Sequence, residues 1–140
     1  MHKNRTYVKA AAIFGALAVI FGAFGSHALS DMLQPAQLEA FKTAVAYQFY
    51  HVPALMSVGI LYKRYHSRML ERAAEFFIAG MVLFSGSLYV STLLHLSGRA
   101  GLGMFSFVTP LGGLLLVLGW ICMFIGIPYQ KLRSDSDFDH

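Results

Sequence analysis

Six side chains in this 140-residue chain stand out as able to do chemistry: His27, Gln48, His51, Ser87, His95 and Thr109. Histidine exchanges protons near neutral pH and is the commonest metal ligand. Gln48 and His51 lie three residues apart, so on a helix they share one face. The bland reading makes them hydrogen-bonding glue tied to Ser85, Ser87 or Thr109, the usual use of polar groups between membrane helices. The sharper reading makes the six a pocket for a proton, ion or small ligand. His27 and His95 fall at the ends of apolar stretches, where water is close, and read first as interfacial histidines. A transverse haem would need two histidines facing each other at similar depth, and only His51 is deep. There is no C-x-x-C-H and no zinc spacing, and Cys122 stands alone. No cofactor or metal is therefore expected. The segment Phe84-Ser85-Gly86-Ser87 is not G-x-S-x-G, and a span interior lacks the strand-to-helix elbow of that motif. With no catalytic motif, the chain is not expected to be an enzyme.

What must position these residues is read from where charge is missing. Ala10–Leu29, Ala44–Tyr62, Phe76–Leu96 and Phe105–Ile127 contain no Lys, Arg, Asp or Glu. Each approximates the roughly 20 apolar residues a helix needs to cross a bilayer. A β-barrel would show alternating strands of about ten residues instead. The expected fold is all-α, one membrane domain spanning 1–140, built as a four-helix bundle. Connections such as Lys63–Glu75 are too short for a second domain.

Nine of the eleven Lys and Arg residues fall in the amino-terminal tail, the linker between the second and third spans, and the carboxy-terminal tail. Only Lys42 and Arg99 lie on the other side. Positive-inside bias then predicts both termini in the cytoplasm. Tyr7, Tyr62, Tyr65 and Tyr129 sit at that same boundary, where amphipathic rings collect. This basic balance reads as a topology signal, so nucleic acid is not an expected partner. The first span is also too long for the h-region of a cleaved signal peptide and is expected to stay.

Small residues should mark the helix contacts. In the first span Ala11, Gly15, Ala18, Gly22 and Gly25 form one stripe. In the fourth, Gly112, Gly119 and Gly126 repeat every seven residues, which keeps one face in a left-handed supercoil. Ala79 and Gly86, with Gly80 and Ser87 beside them, mark the third. The first and fourth spans are expected to make the closest helix contacts. Pro35 should open its helix early, and Pro53 should kink it near Phe49. Residues 134–140, with Asp135, Asp137 and Asp139, read as a solvated tail.

Several segments resemble a family. They are Gly22-Ala23-Phe24-Gly25-Ser26-His27-Ala28-Leu29, Phe41-Lys42-Thr43-Ala44-Val45-Ala46-Tyr47-Gln48-Phe49-Tyr50-His51, Leu83-Phe84-Ser85-Gly86-Ser87-Leu88-Tyr89, Thr109-Pro110-Leu111-Gly112-Gly113 and Gly119-Trp120. Together they resemble the small four-span membrane proteins of domain of unknown function 423, also grouped as uncharacterised protein family 0382. The resemblance covers about Gly15 to Trp120. It implies a bacterial cytoplasmic-membrane protein and no defined activity; Pro53 departs from the pattern. Three function classes stand in this order: a structural or accessory membrane component; a small-molecule, ion or lipid site or transport route in an outer-facing pocket; a haem-binding or hydrolytic enzyme. The partners expected are the lipid bilayer and either a second copy or another subunit of a membrane complex.

Overall fold

The computed structural model describes residues 3–98 and 105–128. Four helices follow one another: α1 (Lys3–His27), α2 (Pro35–Tyr65), α3 (Arg68–Leu96) and α4 (Phe105–Gly126). All four are long and apolar enough to cross a membrane. The tail 134–140, Arg99 and Tyr129 lie outside the described residues.

The helices overrun the charge-free stretches at several ends. α2 has 31 residues, about 46 Å at 1.5 Å per residue, against a hydrocarbon core of roughly 30 Å. It begins at Pro35, whose missing N–H costs nothing in a first turn. The Gln37 side chain accepts a hydrogen bond from the Gln34 N–H at 3.3 Å and fixes that start. The helix continues through Pro53 to Tyr65. A two-residue turn, His66-Ser67, then leads into α3. Ser67 caps α3 by accepting from the Met69 N–H at 3.2 Å. His66 adopts φ 47°.

Packing follows chain order. α1 lies on α2, α2 on α3 and α3 on α4, while α1 and α4 have no comparable contact. This refines the expectation for the first and fourth spans: each makes close contacts, but with its sequence neighbour rather than with the other. A Cβ added at Gly25 would lie 2.7 Å from the Phe41 ring, and one at Gly15 would lie 3.3 Å from Val52. The α1 stripe therefore faces α2. On α4, Gly112 meets the backbone of Phe84, Gly119 the ring of Phe77, and Gly126 the backbone and side chain of Leu70. The seven-residue glycine repeat thus lies along α3 as one seam. Gly80 answers from α3 by receiving Leu116. Gly86 does not belong to a seam, because an added Cβ there would meet nothing within 4 Å.

Lipid is as apolar as the core, so burial alone does not hold these helices together. Side chains such as Ile13, Ile20, Phe107, Leu114, Val117 and Phe124 stand exposed on α1 and α4, as bilayer-facing groups do. The inner cluster runs from Tyr7 and Ala11 through Leu55, Val58, Leu70, Phe77 and Met81 to Leu116. A second cluster, at the end carrying the α1–α2 connection, joins Leu29, Leu33, Phe41, Ala44 and Tyr89.

Candidate functional site

The close approach of α3 and α4 at Gly112 explains the first polar contact. Thr109 lies one turn from Gly112, and Ser87 lies one turn from Phe84, which Gly112 touches. Their hydroxyls meet at 2.6 Å. Ser87 Oγ also donates to the Phe84 carbonyl at 2.9 Å.

Gln48 is buried on α2 and joins three helices. Its Nε2 donates to the Phe14 carbonyl of α1 at 2.7 Å. Its Oε1 accepts from the Tyr89 hydroxyl of α3 at 2.8 Å. At Ala44, one turn before Gln48, the same logic recurs in simpler form: Ser85 Oγ donates to the Ala44 carbonyl at 2.7 Å. Tyr89 is held further by ring contacts with Phe21 and Phe41, at 4.6 and 5.2 Å between centroids.

His51 is buried one turn along from Gln48, yet the two do not bond to each other. His51 Nδ1 lies 2.6 Å from the Tyr47 carbonyl, which accepts, so Nδ1 carries the proton. Nε2 then offers its lone pair to the Trp120 Nε1–H of α4 at 3.2 Å. One neutral tautomer satisfies both contacts, an assignment made from the network. Phe77 wedges beside the pair, edge-on to Trp120 at 5.3 Å and 5.8 Å from the His51 ring. Ligation of a metal or haem through Nε2 would require the Trp120 bond to break, since one lone pair cannot serve both.

The remaining two candidates stay apart. His27 is exposed at the end of α1. His95 is half-buried, and its Nδ1 reaches only the Ser91 carbonyl of its own helix, at 2.7 Å. The six residues therefore resolve into separate contacts rather than one pocket: Gln48 with Tyr89 and Phe14, His51 with Trp120, Ser87 with Thr109. The Gln48 and His51 partners suggested by spacing, Ser85, Ser87 and Thr109, are engaged elsewhere. Among the described residues no group of three or more His, Cys, Asp or Glu side chains is placed to hold a metal.

Trp120 and Tyr89 are the residues that reasoning from spacing passed over. A signal for Trp120 existed. Tryptophan favours the membrane–water interface, and here it sits well inside the fourth span, where its N–H must find a partner.

Fold and site together define a multi-pass α-helical membrane protein whose interior polar groups tie helix to helix. The comparisons place it more narrowly. The family described as "Protein of unknown function (DUF423)" matches residues 21–113, and the chain belongs to that family. The inner membrane protein YgdD of Escherichia coli strain K12, of the UPF0382 group, is 36% identical over 126 residues, 90% of this chain and 92% of that protein. The UPF0382 membrane protein YwdK of Bacillus subtilis strain 168 is 32% identical over 122 residues, 86% of this chain and 94% of that one. A UPF0382 membrane protein of Haemophilus influenzae is 32% identical over 134 residues, 96% and 98% of the two chains. No solved structure matches.

Proposed function

We propose that this chain is a structural or accessory component of the bacterial cytoplasmic membrane, with no catalysis of its own and with both termini in the cytoplasm. The observation that carries the reading is the fate of its interior polar groups. Gln48, His51, Ser85 and Ser87 each bond a neighbouring helix. Among the described residues no buried side-chain nitrogen or oxygen lacks a partner. A catalytic or transport site keeps some of its polar capacity for the substrate, whereas glue uses it up. The inner-membrane description of the Escherichia coli relative supports the location. The nine-to-two split of Lys and Arg supports the orientation. The bilayer is one partner, and a second copy or another membrane subunit is the other.

Binding of an apolar ligand is the second reading. A groove of about 180 Å³ between α1 and α3, floored by Gln48 and lined by Phe14, Leu17, Phe21, Met81 and Gly86, favours it. Thermal stability of His51→Gln and His51→Ala in mild detergent tests the glue reading. Glue predicts that Gln, which can still donate and accept, recovers part of the stability lost with Ala. A Soret band or retained metal in the wild type that vanishes in both variants would overturn it. For the topology, a cysteine at position 68 labelled from outside intact cells, with one at 42 protected, would reverse the orientation.

A further inference from the structure

The turn between α2 and α3 and the start of α1 enclose a cavity of about 260 Å³. Lys3, Asn4 and Arg5 line it from α1, Tyr62 and Lys63 from α2, and His66 from the turn. Among the described residues no carboxylate lines it. A neighbouring recess, lined by Lys3, Arg68, Glu71, Arg72 and Glu75, differs in this respect. There two carboxylates stand among the cations, and Lys3 pairs with Glu71. The recess with carboxylates offsets part of its positive charge, and Lys3, which borders both, spends its charge there.

Packing forces the cations of the first cavity together. Gly59, one turn before Lys63, lets the α1 backbone approach closely: an added Cβ would lie 2.8 Å from Val8 and 3.3 Å from the Asn4 carbonyl oxygen. That approach brings the first turn of α1, with Arg5, against the last turn of α2, with Lys63. Like charges so confined repel, and among the described residues neither has an ion-pair partner. His66 lines the same cavity as the C-cap of α2, where a left-handed φ of 47° is an ordinary helix ending and its N–H donates to the Tyr62 carbonyl at 3.0 Å.

The level of the cavity narrows the ligand. Tyr62 lines it, and Tyr7 and His66 pack on the Tyr62 ring at 5.9 and 5.7 Å between centroids. Tyrosines collect at the headgroup level of a bilayer. Exposed apolar side chains of α1 and α2, such as Ile13 and Ile60, lie on the span side, where acyl chains would run. From the cluster of Arg5, Lys63 and His66 around a headgroup-level cavity that no described carboxylate lines, we propose a binding site for the phosphodiester of an anionic glycerophospholipid. The site is independent of the glue reading, since none of Arg5, Lys63 and His66 takes part in the interior polar contacts.

The test uses the full chain in vesicles of phosphatidylcholine alone or with one quarter phosphatidylglycerol, followed by native mass spectrometry of retained lipid. A cation near a membrane surface contributes about fivefold in affinity for anionic lipid, so Arg5→Gln with Lys63→Gln lowers phosphatidylglycerol retention about 25-fold. Arg5→Lys with Lys63→Arg keeps the charges and keeps retention. Arg68→Gln with Arg72→Gln, in the recess that holds Glu71 and Glu75, leaves it nearly unchanged. Equal losses from the two glutamine pairs would overturn the proposal, because they would mean a diffuse positive surface. Displacement of the lipid by inorganic phosphate, with the same dependence on Arg5 and Lys63, would overturn the lipid assignment in favour of a free-anion site. Equal retention of phosphatidylcholine and phosphatidylglycerol by the wild type would overturn both.

Discussion

Gly112→Ala and Gly86→Ala are the same chemical change on two facing helices, and the structure gives them opposite signs. At Gly112 an added Cβ would fall 2.8 Å from the Phe84 Cα and 2.9 Å from the Leu83 carbonyl carbon. Ordinary carbon contacts need about 3.5–4 Å, so α4 must move out by roughly 1 Å. The obstacle is backbone, so no side-chain rotation relieves it. A gap of 0.5–1 Å forfeits a quarter to a half of each contact's attraction, and the gap extends along the seam to Gly119 against Phe77. Overpacking of this kind costs about 1–3 kcal/mol. The better helix propensity of Ala returns up to about 1 kcal/mol. The net expectation is a loss of about 1–2 kcal/mol. At Gly86 nothing lies within 4 Å, so only the propensity gain of about 0.5–1 kcal/mol remains. Unfolding of the two variants in mixed micelles, measured side by side with the wild type, decides the matter. Gly112→Ala at or above wild-type stability, or Gly86→Ala below Gly112→Ala, would refute the seam.

Two further outcomes follow from named contacts. A double-mutant cycle with Gln48→Leu and Tyr89→Phe should show a coupling of about 0.6 kcal/mol, at most about 1.7, the range of hydrogen bonds between membrane helices; additive effects would mean that the bond contributes nothing. The Lys3–Glu71 pair sets a pH window: the ion-paired, hydrogen-bonded Lys3 holds the Glu71 carboxyl below its ordinary range, and Glu71 raises Lys3 above its own. The Glu71 contribution is therefore present above the unfolded carboxyl value of about 4.3 and is lost as pH falls below it. The Lys3 contribution is present below about 10.4 and is lost as pH rises through the raised value. Lys3→Gln should flatten both limbs of a melting-temperature profile, and an unchanged profile would show the pair to be inert.

The sequence alone determined the architecture, because a bilayer leaves little choice. Uncharged stretches of span length must satisfy their own backbone hydrogen bonds, and only a helix does so within one segment. Pro35 announced a helix start through local backbone chemistry, and the Gly112, Gly119 and Gly126 repeat announced a packing face through periodicity. Tertiary structure decided which surface each face meets. Small residues state that something comes close but carry no information about which helix it is, so the stripes of α1 and α4 found α2 and α3 rather than each other. Gly86 shows the same limit, since a glycine that opens on free space has the same letter as one under a backbone. The polar residues were legible as a set and not as pairs. Gln48 and His51 share a helix face, but one reaches Tyr89 and the other Trp120, because helix rotation and side-chain length select partners that spacing along a single chain cannot encode.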